Sequence, residues 1–167
     1  MRAAILGVAM ALVAFGAVAE AAELNAVVKA RTGEPVSDAV VVAVPRGGPP
    51  PRQARAGREV LDQIDKEFVP YVKAVVVGSP VFFPNKDNIR HHVYSFSPAK
   101  TFELPLYSGT PANPVVFDRP GIVTIGCNIH DWMIAFIYVA ETPWFGTTGR
   151  QGRVKLDNLP PGPYAVR

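Results

Sequence analysis

Residues 121–139 of this 167-residue chain read GIVTIGCNIHDWMIAFIYV. Two runs rich in Val, Ile and Phe enclose a short polar loop, and such runs predict β-strands at 122–127 and 134–140. Because side chains alternate between the faces of a strand, Val123, Ile125 and Cys127 share one face. We therefore expect Cys127 to end a strand facing the core, next to a loop that is held at both ends.

The rest of the chain repeats this pattern of short apolar runs. Seventeen prolines exclude long central strands, and Pro, Gly, Asn and Asp separate the runs. Only LDQIDKEF, residues 61–68, indicates a short helix. The sequence predicts an all-β, Greek-key β-sandwich of two layers. Besides the two strands already named, we expect strands at 25–29, 39–44, 74–77, 80–83, 92–96, 115–117, 153–156 and 164–166.

The N-terminal segment predicts export. Arg2 precedes an uncharged apolar run, residues 3–18, and Ala17-Val18-Ala19 has the small-x-small pattern of a cleavage site. These features are typical of a signal peptide, residues 1–19. The alternative, a membrane anchor, is disfavoured because the run is short for a bilayer span. We expect a periplasmic protein that is not an integral membrane protein.

The charge of the chain is concentrated in one loop. Residues 46–58, RGGPPPRQARAGR, contain four arginines and no acid, while the whole chain has a net charge of only +3. A nucleic-acid-binding protein needs a cluster of basic residues on a folded face. This stretch instead indicates a solvated basic loop, so no nucleic-acid partner is expected.

Cys127 is the single cysteine of the chain, and an exported protein with one cysteine cannot form an internal disulfide. Cys127 is therefore buried and inert, forms a disulfide with another chain, or takes part in the chemistry of the protein. His130 and Met133 follow it at steps of three residues. Thiolate and imidazole fit zinc or copper, whereas a thioether suits copper and completes a His₂Cys set with a weak axial Met.

That ligand set requires a second histidine, and the chain offers only His91 and His92. They are adjacent at the start of a predicted strand, and side-chain alternation lets only one of them face the metal. The sequence favours a site for one mononuclear copper ion over an accidental grouping of these residues. No Ser-His-Asp arrangement or paired carboxylate is recognisable, so an enzyme and catalytic residues are not expected.

The residues that carry these ligands resemble the cupredoxin family, in particular the plastocyanin, amicyanin and pseudoazurin group. The resemblance covers residues 74–141, through VFFPNKDNIRHHVYSFSPAKTFEL (81–104) and FDRPGIVTIGCNIHDWMIAFIYV (117–139). It is greatest to periplasmic plastocyanin-like proteins labelled methylamine utilization proteins. The Cys-x-x-His-x-x-Met spacing is similar to the short ligand loop of amicyanins.

This resemblance implies a ligand set, carried over position by position: His91, Cys127, His130 and Met133. Cys127 would supply the thiolate, His130 the imidazole on the solvent side, and Met133 the axial thioether. His91 matches the upstream ligand of the family, and His92 stands where the family has an asparagine. The expected organisation is a cupredoxin core at 59–141, with N-terminal flanking strands at 20–45, the basic loop at 46–58 and C-terminal flanking strands at 142–167.

The resemblance also implies a function, the transfer of single electrons by a type 1 (blue) copper site. The donor would be a periplasmic dehydrogenase and the acceptor a c-type cytochrome, with an aromatic docking surface around Trp132. Two alternatives stay open at this point. One is a copper-binding accessory or assembly protein, and the other is an interaction module of cupredoxin type without metal.

Overall fold

A computed structural model describes residues 21–47 and 57–167, and every regular element in these residues is a β-strand. The fifteen strands are β1 (Ala22–Val27), β2 (Val40–Pro45), β3 (Glu59–Val60), β4 (Asp62–Ile64), β5 (Glu67–Val69), β6 (Val72–Val76), β7 (Ser79–Phe82), β8 (His91–Ser97), β9 (Lys100–Tyr107), β10 (Val115–Phe117), β11 (Gly121–Gly126), β12 (Ile134–Ala140), β13 (Phe145–Thr147), β14 (Arg153–Leu159) and β15 (Tyr164–Val166). The all-β prediction is confirmed.

The larger core lies between two sheets. The first has five strands in the order β6-β12-β11-β8-β9, and the second has three in the order β10-β7-β3. Side chains of both sheets form one hydrophobic cluster, for example Val123 and Ile137 from the first and Val81 and Phe117 from the second. Each of these four is 0% exposed. The predicted β-sandwich is therefore present.

β11 and β12 form the antiparallel pair that the opening stretch predicts, in register from Gly121 opposite Val139 to Gly126 opposite Ile134. On β11, Val123 and Ile125 are fully buried, whereas Ile122, which lies on the opposite face of the strand, is 62% exposed. This alternation confirms that one face of the strand packs on the core. Cys127, directly after β11, is also buried.

The predicted helix at 61–68 is wrong, because this segment forms the β4–β5 hairpin. Asp65 and Lys66 connect the two strands with φ angles of 54° and 61°. Positive φ at both central residues is the geometry of a two-residue hairpin turn and is incompatible with a right-handed helix. The carboxylate of Asp87 stabilises this turn by accepting both of its backbone N–H groups.

The strands before and after the larger sandwich pair with each other. β1 pairs with β14, and β2 lies between β13 and β15. Their buried residues form a second cluster, which includes Val41, Ala43, Leu156 and Leu159. The expected flanking strands are therefore found, while the domain boundaries stay predictions.

Two expectations concern residues outside the described part of the chain. The signal peptide at 1–19 lies there entirely, and the basic loop at 46–58 lies there for residues 48–56. Within residues 21–47 and 57–167, no helix has the length and apolar character needed to cross a membrane.

Candidate metal centre

The loop between β11 and β12 is closed by its own backbone. Cys127 follows β11, Met133 precedes β12, and the N–H of Cys127 donates to the carbonyl oxygen of Met133 at 3.2 Å. The N–H of Met133 in turn donates to the carbonyl oxygen of His130 at 3.0 Å. These bonds fix the positions of all three residues relative to the core sheet, as the short connection between two strands predicts.

Three side chains of types that can bind a metal ion meet at this loop. One ligand atom from each of His91, Cys127 and His130 lies within 4.8 Å of the other two. Sγ of Cys127 is 3.9 Å from Nδ1 of His130, and the two histidine rings are 5.0 Å apart between centroids. His91 comes from the start of β8, so the sheet brings together two distant parts of the sequence.

Burial differs among the members of this group. His91 is 0% and Cys127 4% exposed, whereas His130 is only partly buried. A buried thiol close to two imidazoles is a donor set of intermediate softness, which suits copper or zinc. His130 is the member through which the group reaches the surface.

Met133 lies in the same region but within the apolar core. It is 1% exposed and belongs to the hydrophobic cluster that also contains Cys127. A methionine in this position fills the core and also offers a thioether on the core side of the loop. Its role as a ligand stays a prediction.

His91 and His92 point to different environments, as strand alternation requires. His91 faces Cys127 and His130, while Nε2 of His92 is 2.7 Å from Oε1 of Glu103 on β9. The ring of His92 also lies 5.5 Å from that of Tyr94. Of the two histidines, His91 is the one that joins the group, although its ligation stays a prediction.

The protonation of His91 follows from its partner, Asp87. Burial alone raises the pKa of Asp87, but hydrogen bonds from His91 and from the backbone N–H groups of Lys66 and Asp65 hold the pKa below its ordinary value. Asp87 is thus a carboxylate, which only accepts hydrogen bonds. Nε2 of His91, 2.7 Å from Oδ2 of Asp87, must therefore carry a hydrogen.

In a neutral imidazole whose Nε2 carries the hydrogen, the lone pair lies on Nδ1. Nδ1 is buried, and it has no hydrogen-bond partner among the described residues. An orphaned buried acceptor is costly unless something binds it. Together with the buried free thiol of Cys127, it fits a thiophilic metal ion.

Sequence reasoning did not identify Asp87 or Glu103, the carboxylates that bind His91 and His92. Asp87 lies four residues before His91, and this spacing was the one available signal. In a strand-rich chain, a spacing of four residues does not predict a contact between two side chains. The contact forms because Asp87 lies in the loop before β8, which returns its side chain to His91.

An apolar surface surrounds the exposed edge of the group. Trp132 is 65% and Ile129 47% exposed, and the rings of Trp132 and His130 lie 5.2 Å apart between centroids. The aromatic surface expected around Trp132 is therefore present next to His130.

No protein-family profile and no curated protein matches this chain. Among solved structures, it is similar to a variant of amicyanin in its reduced Cu(I) form, with 18% identity, coverage of 53% of this chain and 87% of that chain, and a TM-score of 0.46. A purple cupredoxin from Nitrosopumilus maritimus has 19% identity, coverage of 50% and 98%, and a TM-score of 0.42.

A copper-containing nitrite reductase from Thermus scotoductus SA-01 has 24% identity and a TM-score of 0.47. The match covers 51% of this chain but only 23% of the reductase chain. At these sequence identities and TM-scores, the matches do not show what this protein binds, so its ligand has to be inferred from its own residues. Each of these matches covers about half of this chain.

Proposed function

We propose that this protein is a periplasmic type 1 copper protein that carries single electrons between redox partners. The observation that carries the proposal is the meeting of His91, Cys127 and His130 within 4.8 Å, with the free nitrogen of His91 buried and unpartnered among the described residues. The methionine that such a site needs as a weak fourth ligand stands at the end of the same loop.

Each of the four residues has a definite task. Cys127 would hold the ion through its thiolate, His91 and His130 would hold it through Nδ1, and Met133 would offer its thioether from the apolar core. Copper, when bound, supplies a one-electron couple between Cu(I) and Cu(II). The hydrogen-bonded loop and the core sheet keep the donor atoms in one arrangement, so a change of oxidation state requires little movement.

The surroundings of the group also favour electron transfer. Cys127 is only 4% exposed, and the shell around a ligand sulfur tunes the reduction potential. The partly exposed His130 offers a short route to the surface, and the apolar residues Trp132 and Ile129 beside it provide a small contact area. Small, transient interfaces are typical of redox partners.

The partners are proposed from the sequence resemblance alone. They are a periplasmic dehydrogenase as electron donor and a c-type cytochrome as acceptor. Export rests on the signal-peptide pattern of residues 1–19.

Reconstitution of the purified mature protein with copper tests this proposal. We expect an intense thiolate-to-copper absorption band in the visible range and a spin-resonance spectrum with a small copper hyperfine splitting. His91→Ala should abolish the band, while the matched variant His92→Ala should keep it. A reconstituted wild-type protein without this band would refute the proposal, and tighter binding of zinc than of Cu(I) would argue for a different site.

A further test separates an electron carrier from a copper-delivery protein. The carrier predicts reversible one-electron voltammetry and retention of copper in the presence of an apo-acceptor. Rapid loss of copper to the acceptor would support delivery instead.

A further inference from the structure

One carboxylate connects the upstream histidine with a hairpin that lies far from it in the sequence. Oδ2 of Asp87 is 2.7 Å from Nε2 of His91 and accepts the backbone N–H of Lys66 at 2.9 Å. Oδ1 accepts the backbone N–H of Asp65 at 2.7 Å. The side chain of Asp87 is only 12% exposed. Three donors from two segments therefore converge on a largely buried carboxylate.

We infer that Asp87 is a positioning residue, which fixes His91 in the Nε2–H tautomer with Nδ1 toward Cys127 and His130. Through its two backbone hydrogen bonds, Asp87 also connects the β4–β5 turn to the site. The inference rests on the proposed function, because the purpose of this positioning is to present Nδ1 to a metal. It assigns a role to a residue that does not itself bind the ion.

The chemistry of the carboxylate explains the choice of residue. A carboxylate accepts hydrogen bonds only, so it selects the tautomer in which Nε2 carries the hydrogen. A neutral amide could donate as well as accept and would select neither tautomer. A negative charge behind the imidazole also makes Nδ1 a stronger donor to a metal, as partners of ligand histidines generally do.

Asp87 is itself held in place by Asn85. Oδ1 of Asn85 accepts the backbone N–H of Asp87 at 3.0 Å. Nδ2 of Asn85 donates to the carbonyl oxygens of Ile89 at 2.8 Å and Tyr107 at 2.9 Å. The loop that carries Asp87 is therefore fastened at its beginning, at its end and to strand β9. The carboxylate is preorganised, not merely close to the histidine.

A purely structural role is the competing explanation. Asp87 stabilises the hairpin turn through two backbone bonds, and this alone would account for its burial. The two explanations differ in their effect on the imidazole. A structural clamp predicts no particular tautomer at His91, whereas a positioning residue predicts one.

Nitrogen NMR of the metal-free, ¹⁵N-labelled protein near pH 8 measures this tautomer directly. We expect the wild-type His91 ring to be entirely in the Nε2–H form, and Asp87→Asn to convert it to a mixture of both forms. Asp62→Asn is the matched control, since Asp62 lies on the same hairpin but pairs with Lys86 at 2.9 Å. The control should leave the His91 signals unchanged.

Cu(I) competition with a chromophoric chelator provides the second readout. Asp87→Asn should weaken Cu(I) binding by about 10- to 100-fold, the usual effect of losing the partner of a ligand histidine. Asp87→Glu, which keeps the charge, should recover part of this loss, while Asp62→Asn should change it by less than about twofold.

Loss of folding is guarded against by a stabilised background. Asp65→Asn with Lys66→Gly supplies the residues that a turn with two positive φ angles prefers, without altering the two N–H groups. All variants are compared in this background by urea unfolding.

Three results would overturn the inference. They are an Nδ1–H tautomer in the wild-type protein, an unchanged tautomer in Asp87→Asn, and equal Cu(I) affinity in Asp87→Asn and Asp62→Asn. The tautomer is measured without metal, so it distinguishes a failure of this inference from a failure of the proposed function. A wild-type protein that shows the Nε2–H form but binds no copper would refute the function and leave the positioning of the ring intact.

Discussion

Replacing Met133 by leucine and by alanine separates packing from metal binding at this residue. Met133 is 1% exposed inside the larger core cluster. Truncation of a buried methionine to alanine leaves a cavity and costs about 2–5 kcal/mol. Leucine has nearly the same volume, so Met133→Leu should cost the metal-free protein less than about 1.5 kcal/mol.

The thioether of Met133 is expected to contribute to the stability of the copper-loaded protein but not to that of the metal-free protein. Binding to the native state stabilises it by RT ln(1 + [L]/Kd), so each tenfold loss of Cu(I) affinity removes about 1.4 kcal/mol of copper-dependent stabilisation. We expect Met133→Leu to lose at least this amount and to raise the reduction potential, because a leucine offers no donor atom.

Urea unfolding of the metal-free and Cu(I)-loaded forms, followed by tryptophan fluorescence, provides both quantities. Ile125→Leu is the packing control, since Ile125 is fully buried in the same cluster and has no donor atom. If Met133→Leu retains the wild-type copper spectrum, potential and copper-dependent stabilisation, Met133 is a core residue only and the four-ligand hypothesis is wrong.

Further predictions concern Tyr107, the flanking strands and strand β11. Burial raises the pKa of Tyr107 to about 12. Because the neutral phenol is favoured in the folded state, the contribution of Tyr107 to the free energy of unfolding should be constant below about pH 10 and fall as the pH rises toward 12. Tyr107→Phe should remove this contribution, so urea titrations of the variant should show a smaller fall above about pH 10 than those of the wild type. Gly152→Ala should destabilise the protein strongly in thermal unfolding, because φ is 67° and the added Cβ would overlap the backbone carbonyl oxygen of Val28; an unchanged melting temperature would contradict this. Ile125→Ala should cost about 2–5 kcal/mol and Ile122→Ala, 62% exposed on the same strand, less than about 0.5 kcal/mol, and equal costs would mean that the register of β11 is wrong.

The parts of the fold that the sequence predicts are those with local signals. The strands on both sides of Cys127 follow from alternation, and the loop between them follows from their spacing. β9 was missed because Pro105 lies within it. Its position at the edge of the five-stranded sheet explains how a proline is accommodated there.

The β4–β5 hairpin could not be predicted for a different reason. Asp65 and Lys66 adopt positive φ without the Asn-Gly signature of such turns. The compensation comes from the Asp87 carboxylate, which is distant in sequence and accepts both turn N–H groups. A signal of this kind exists only in three dimensions.

The candidate site also contains residues with a local sequence signal and residues without one. Cys127, His130 and Met133 could be proposed from one short stretch, and His91 was selected over His92 by resemblance. The partners of these histidines, Asp87 and Glu103, have no local signature.

The pairing of the outer strands affects how the protein would respond to tension. Because β1 is bonded to β14 and β15 to β2, a pull applied at both ends would first peel or shear these outer pairs. The strands that carry the histidines and the thiol would bear no load until those pairs had separated. We therefore expect His91, Cys127 and His130 to keep their relative positions under a tension that separates only the outer strand pairs.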